Sequence, residues 1–203
     1  MEYMARKLVT QNDQICMMSP FDMDYSHRTI MLSGEIREET ALMISSALRA
    51  LARESEEDIV MYIQSVGGLV SAGLGIYDSM QSIRCDVVTV ASGMAASMGA
   101  ILLAAGASGK RWVQPHAQVM IHQPMGEVSG RASDVRIQVD QLLNSRKMLN
   151  QILSMHTGQP ETKIEKDTLE DHPMSAEEAL AYGIVDHVGD PFEESMASFS
   201  SVK

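Results

Sequence analysis

The chain has 203 residues, 45% of them hydrophobic and 21% charged, with a formal net charge of -11. At roughly 100–200 residues per domain that length is one domain, with enough apolar content for a real core. The acidic balance excludes nucleic acid as the main partner, because phosphate binding needs a basic face and none occurs; it serves solubility instead.

Residues 1–26 mix Met, Gln, Asn, Asp, Ser and Pro and are expected to form an irregular arm outside the core, with no apolar stretch that suits a secretory leader. Thr29-Ile30-Met31-Leu32 predicts a short strand that Gly34 breaks. Ala41, Ile44, Leu48 and Leu51 recur at helical spacing and predict a helix over 38–53. Asp58–Ile63 is a β-rich run, followed by Gly67-Gly68 and a helix through Leu74, Ile76, Tyr77 and Met80. Cys85 opens the next apolar run; with Cys16 it makes no disulfide framework, and no Cys/His cluster has metal-ligand spacing. A reduced, cytoplasmic protein without structural zinc is expected. Val87–Val90 predicts a strand, broken at Gly93, and a small-residue helix begins near Ser97. The apolar stretch at 95–107 is too short to span a bilayer, which needs about 18 or more residues. Val119-Met120-Ile121 is a further strand ending at His122. A long helix follows over 133–156, with Val135, Val139, Leu142, Leu149 and Ile152 on one face and Gly158 and Pro160 at its end. Ser175 with Glu178 makes a capping box, Gly183 terminates that helix, and 184–188 reads as a closing strand. The tail from Pro191 is polar and expected to fray. The alternation of strands and helices predicts an α/β fold with a largely parallel sheet.

Ser97 carries the first chemical hint. It sits where a β-run turns into a helix, so its hydroxyl lies near unpaired N–H groups that can hold an oxyanion. The G-x-S-x-G pattern is not met, because Ala95 takes the first Gly position. A serine there serves equally as an N-cap. His122, at the end of a buried strand on the loop side, is the best placed of six histidines to act as its base, although a structural role suits any one of them. His156 reads as a helix-end residue stabilised by the dipole. Gly67-Gly68 suits either a backbone approach to a ligand or an ordinary turn.

Several segments taken together are highly specific: Ile76-Tyr77-Asp78-Ser79-Met80-Gln81, Gly93–Ala100, Leu102-Leu103-Ala104-Ala105-Gly106, Val119-Met120-Ile121-His122-Gln123-Pro124, His156-Thr157-Gly158-Gln159-Pro160 and Met174-Ser175-Ala176-Glu177-Glu178-Ala179. In them the chain resembles the proteolytic subunit of the Clp protease family, serine peptidases that degrade proteins delivered by a partner ATPase. The resemblance implies a spiral of β-β-α units of the Clp/crotonase type with a protruding handle helix. It implies an arm over 1–26, a peptidase domain over 27–190 with its handle at about 125–157, and a flexible tail over 191–203. Position by position, Ser97 matches the nucleophile, His122 the general base and Asp171 the triad acid, with Asp167 as a nearby decoy. The N–H groups of Gly68 and Met98 match the oxyanion hole. The chemistry needs no metal and no cofactor. Implied partners are an AAA+ unfoldase of the Clp type, unfolded protein substrates and further copies in two stacked heptamers. The resemblance includes no membrane or nucleic-acid partner.

Three departures bear on that expectation. Gln64-Ser65-Val66-Gly67-Gly68 has Val66 where the family has Pro, which frees one backbone angle beside the oxyanion hole. Arg131 and Glu170 stand where the family has Gln and Arg, and are expected either to restore a contact between rings with the charges exchanged or to have drifted independently. The arm over 1–21 does not match the family's axial segment. The alternative reading is a weakly active or structural subunit of a barrel shared with a paralogous subunit. A crotonase-type acyl-CoA enzyme shares a related core and a two-amide oxyanion hole, but would not require the Ser/His/Asp set.

Overall fold

The computed structural model describes residues 7–11 and 14–192, with side chains from Met17 onward. The arm is not irregular where it is described. β1 (Lys7–Gln11) and β2 (Gln14–Met18) pair as an antiparallel hairpin, and α1 (Pro20–Ser26) follows. Ser19 and Asp22 close a reciprocal capping box on α1, with Pro20 in its first turn. Seven residues are too few to show a helical period, which is why the cap is the readable signal. α1 buries no side chain. The chain beyond Phe192, where fraying is expected, falls outside the described residues.

Then come β3 (Thr29–Ile36), α2 (Glu38–Glu54), β4 (Ile59–Gly68), α3 (Val70–Ser82), β5 (Val87–Ala96), α4 (Met98–Ala104), β6 (Arg111–Val113) and β7 (Gln118–Ile121). α5 (Ala132–Thr157), α6 (Glu161–Asp167), β8 (His172–Met174), α7 (Ala176–Tyr182) and β9 (His187–Val188) complete the order. The main sheet runs β3-β4-β5-β6-β9 in parallel, with β7 parallel to β5 and β8 antiparallel to β7. Short pieces such as β6, β8 and α6 have no period to read, and the closing strand shrinks to two residues.

Strands that glycine was expected to end are instead re-aimed by it. β3 continues through Gly34 (φ 81°), with its register against β4 shifting between Ser33 and Glu35. The β4–β5 register shifts between Ile63 and Ser65. β5 continues through Gly93 (φ 71°): its first half pairs with β6 and its second with β7. Such irregularities bend a strand and change its partner. Here the end of β4, Gly67-Gly68, stays paired with Glu35 and Ile36 of β3, while Ala95-Ala96 of β5 pairs with β7.

Every residue of α4 is buried, so this short helix is the centre of the core. α5 is covered only near its end, at Leu149, Asn150, Ile152 and Leu153. Of the apolar face expected along this helix, only Leu149 and Ile152 are buried within the protomer. His156 differs from its expected role. It is half-buried, its Nε2 lies 3.1 Å from the Tyr77 hydroxyl, and burial with the nearby Arg111 charge holds its pKa below 6.5. The cation at this helix end is Arg111, which donates to the His156 carbonyl at 2.7 Å and to the Ala104 carbonyl at 3.4 Å, and pairs with Asp186.

Candidate active site

Ser97 joins β5 to α4 with φ 55° and ψ -122°. Besides Arg28 it is the one non-glycine with positive φ among the described residues. Such a conformation costs on the order of 1–3 kcal/mol and persists only where its surroundings hold it. The hold is visible: the Ser97 N–H donates to the Met120 carbonyl at 2.8 Å, and Ala96 pairs with Met120 in the sheet. The Ser97 side chain makes no capping hydrogen bond. The N-cap alternative therefore fails on geometry, and the hydroxyl is left uncommitted at a strained strand-to-helix elbow.

Two residues beyond Met120 the same strand end carries His122. Its side chain is 13% exposed, and its Nδ1 lies 3.0 Å from the Asp171 carboxylate. An acid on Nδ1 leaves Nε2 as the nitrogen facing a substrate proton. The decoy acid is occupied elsewhere. Asp167 accepts from the Tyr182 hydroxyl at 2.9 Å and from Lys163 at 2.7 Å. Burial raises its pKa, but those two partners outweigh it and hold the carboxyl below the ordinary value. The structure thus brings His122 and Asp171 together, whereas no hydrogen bond joins Ser97 to His122 in the protomer. Apo catalytic hydrogen bonds are often long and tighten only with substrate.

The glycine pair lies across from the elbow. A Cβ on Gly67 (φ 94°) would stand 2.6 Å from Ser97 Cβ and 3.1 Å from its Oγ. One on Gly68 (φ 154°) would stand 2.2 Å from the Ile36 carbonyl. Neither position accepts a side chain: Gly67 sets its backbone against the serine, and Gly68 sets its backbone against Ile36 of β3. Ser65 steadies the turn: its buried hydroxyl donates to the Gly34 carbonyl at 2.6 Å and accepts from the Gly67 N–H at 3.0 Å. On the other side, the Ala100 and Ile101 N–H groups donate to the Ser97 carbonyl. That leaves the N–H groups of Met98 and Gly99 as the free donors of the first turn. Sequence reasoning missed Ser65 and the part played by Gly67, because both act through contacts with residues far along the chain.

A cavity of about 300 Å³ adjoins these elements, lined by Val70 and Ser71 after the glycine pair and by Pro124–Val128 after His122. The far wall is α5, through Gln138, Gln141 and Leu142. Arg131, at the start of α5, pairs with Asp134 at 2.9 Å and makes no ion pair with Glu170 within the protomer. Among the described residues no cluster of His, Cys, Asp or Glu could hold a metal ion, and no helix is long and apolar enough to cross a membrane.

A family model described as Clp protease matches residues 12–191, nearly the whole chain. Proteins of this family oligomerise and work with AAA+ unfoldases. The chain belongs to the Clp protease family and has the function of its proteolytic subunit, a serine-type endopeptidase.

Proposed function

We propose that Ser97, His122 and Asp171 are the catalytic triad and that the N–H groups of Gly68 and Met98 form the oxyanion hole. The observation that carries this reading is the strained elbow at Ser97, whose hydroxyl caps nothing although it sits at a helix N-terminus. Asp171 holds the His122 imidazole with Nε2 toward Ser97. His122 takes the Ser97 proton as Oγ attacks the peptide carbonyl, and the tetrahedral oxyanion is held by the two backbone donors. The C–N bond breaks as His122 protonates the leaving amine. Water, with His122 again as base, hydrolyses the acyl-enzyme. The extended substrate chain lies between the end of β4 and the 124–128 loop, over the cavity that Val70 and Leu142 line.

The finer setting belongs to the same proposal. The protein works in the cytoplasm as two stacked heptamers, with α5 as the handle between rings, and an AAA+ unfoldase delivers unfolded chains. Ser97→Ala is expected to abolish hydrolysis of a fluorogenic peptide while leaving the native mass unchanged. Full activity in Ser97→Ala overturns the mechanism. One observation favours a second reading. Because Ser97 and His122 are not hydrogen-bonded in the protomer, the chain alone is weakly active and a paralogous subunit in a mixed barrel completes the alignment. Activity that rises more than tenfold on mixing with such a subunit selects that reading; full activity of the purified protein alone excludes it.

A further inference from the structure

The Asp171 side chain is 73% exposed, and among the described residues its hydrogen-bond partner is His122 alone. A contact with one partner this exposed to water is weak, so the pair cannot fix its own geometry. The backbone that carries the carboxylate must do so. That backbone is pinned on both sides of Asp171 by the chain neighbours of His122. On the downstream side, His172 in β8 pairs with Ile121 in β7. On the upstream side, the Gln123 N–H donates to the Thr168 carbonyl and its side-chain amide to the Leu169 carbonyl, each at 2.7 Å. Thr168 is itself anchored: it is 1% exposed, and its hydroxyl donates to the Ile164 carbonyl at 2.8 Å, with Asn150 Oδ1 of α5 at 3.4 Å. The segment before Asp171 is therefore fixed at its core end by Thr168 and at its exposed end by the Gln123 side chain.

We infer that Gln123 is a positioning residue for the triad, whose side-chain amide sets the Asp171–His122 contact by holding the Leu169 carbonyl. This rests on the triad proposed above. If Gln123 served the fold alone, its loss would lower stability and would act independently of Asp171. If it acts through Asp171, its loss lowers turnover only while Asp171 is present.

The test uses the assembled protein. Gln123→Met keeps the volume and removes the amide donor. Gln123→Glu keeps the shape, and its ionised carboxylate cannot donate. Each is made alone and in an Asp171→Ala background. Peptide hydrolysis and the slow residual acylation by a fluorophosphonate are read beside native mass and melting temperature. Expected for each single variant is a fall in kcat of about tenfold, with KM within about twofold of the parent. In the Asp171→Ala background the same substitution is expected to change the acylation rate by less than about twofold. An equal factor in both backgrounds, an unchanged kcat, or loss of the native mass in both variants overturns the inference. Ser97→Ala separates the two levels. If it is inactive while Gln123→Met keeps full kcat, the triad stands and the positioning role falls; if it stays active, the triad itself fails.

Discussion

At Ser97 two roles compete for one position, and the segment alone permits both. A capping serine points its oxygen back at the helix N–H groups. Here the backbone angles turn it away and the cap bond is not made. Such angles are set by the β5–β7 pairing and by Gly67, which lie outside the segment. The resemblance supplied Asp171 where spacing left Asp167 equally eligible; in the structure Asp167 is bonded to Tyr182 and Lys163, and Asp171 lies beside His122. Gly67 suited either a backbone approach to a ligand or an ordinary turn, because a contact between β4 and the start of α4 leaves no local trace. Gly67→Ala places a Cβ at a position 2.6 Å from Ser97 Cβ, on a backbone with φ 94°. It is expected to lower kcat/KM by about a hundredfold and stability by about 1–3 kcal/mol, read by peptide kinetics and denaturant unfolding.

At the scale of elements, the long helices and central strands were legible because their periods run over many residues. The helices over 38–53 and 133–156 were expected within one residue of α2 and α5 at each end. Glycine misled the reading of strands. β3 continues through Gly34 on the same partner with a shifted register, β5 continues through Gly93 from β6 to β7, and only the parallel neighbours show that pairing continues. His156 misled the reading of charge, since Arg111 occupies the end of α5 from a distant strand. Arg111→Met leaves Asp186 without its cation and the His156 carbonyl without its donor. It is expected to destabilise the protein by about 3–5 kcal/mol in urea unfolding. His156 gives a pH signature. Its folded pKa lies below 6.5, so the unfolded chain binds more protons just under that pH. Its contribution is full above about 6.5 and is lost as pH falls toward the folded value. The melting temperature is expected to decline in that window in the parent and to decline less in His156→Gln. Equal slopes in the two proteins contradict the assignment.

At the scale of the whole molecule, the helix that looked apolar along one face is half uncovered. Ile137 is 56% exposed and Leu143 54% on the part of α5 that leaves the body, and Met125 in the adjoining loop is 80% exposed. Family members oligomerise, and on the proposed reading of α5 as the handle this apolar surface meets another copy. Leu143→Glu is expected to lower the native mass from that of the assembly toward smaller species, with peptidase activity falling alongside it. An unchanged native mass places the contact elsewhere. The order of segments made the family legible from the sequence. The elbow at Ser97 was not legible, because its backbone angles depend on the β5–β7 pairing and on Gly67, which lie outside its segment.

The central claim is that Ser97 is the nucleophile, and labelling with a fluorophosphonate tests it most directly. The purified protein is treated with the probe, the adduct is mapped by mass spectrometry, and the native mass is read on the same sample. One adduct on Ser97, carried by the large assembly and absent from Ser97→Ala, is the result predicted. An adduct on any other residue, or undiminished labelling of Ser97→Ala, contradicts it.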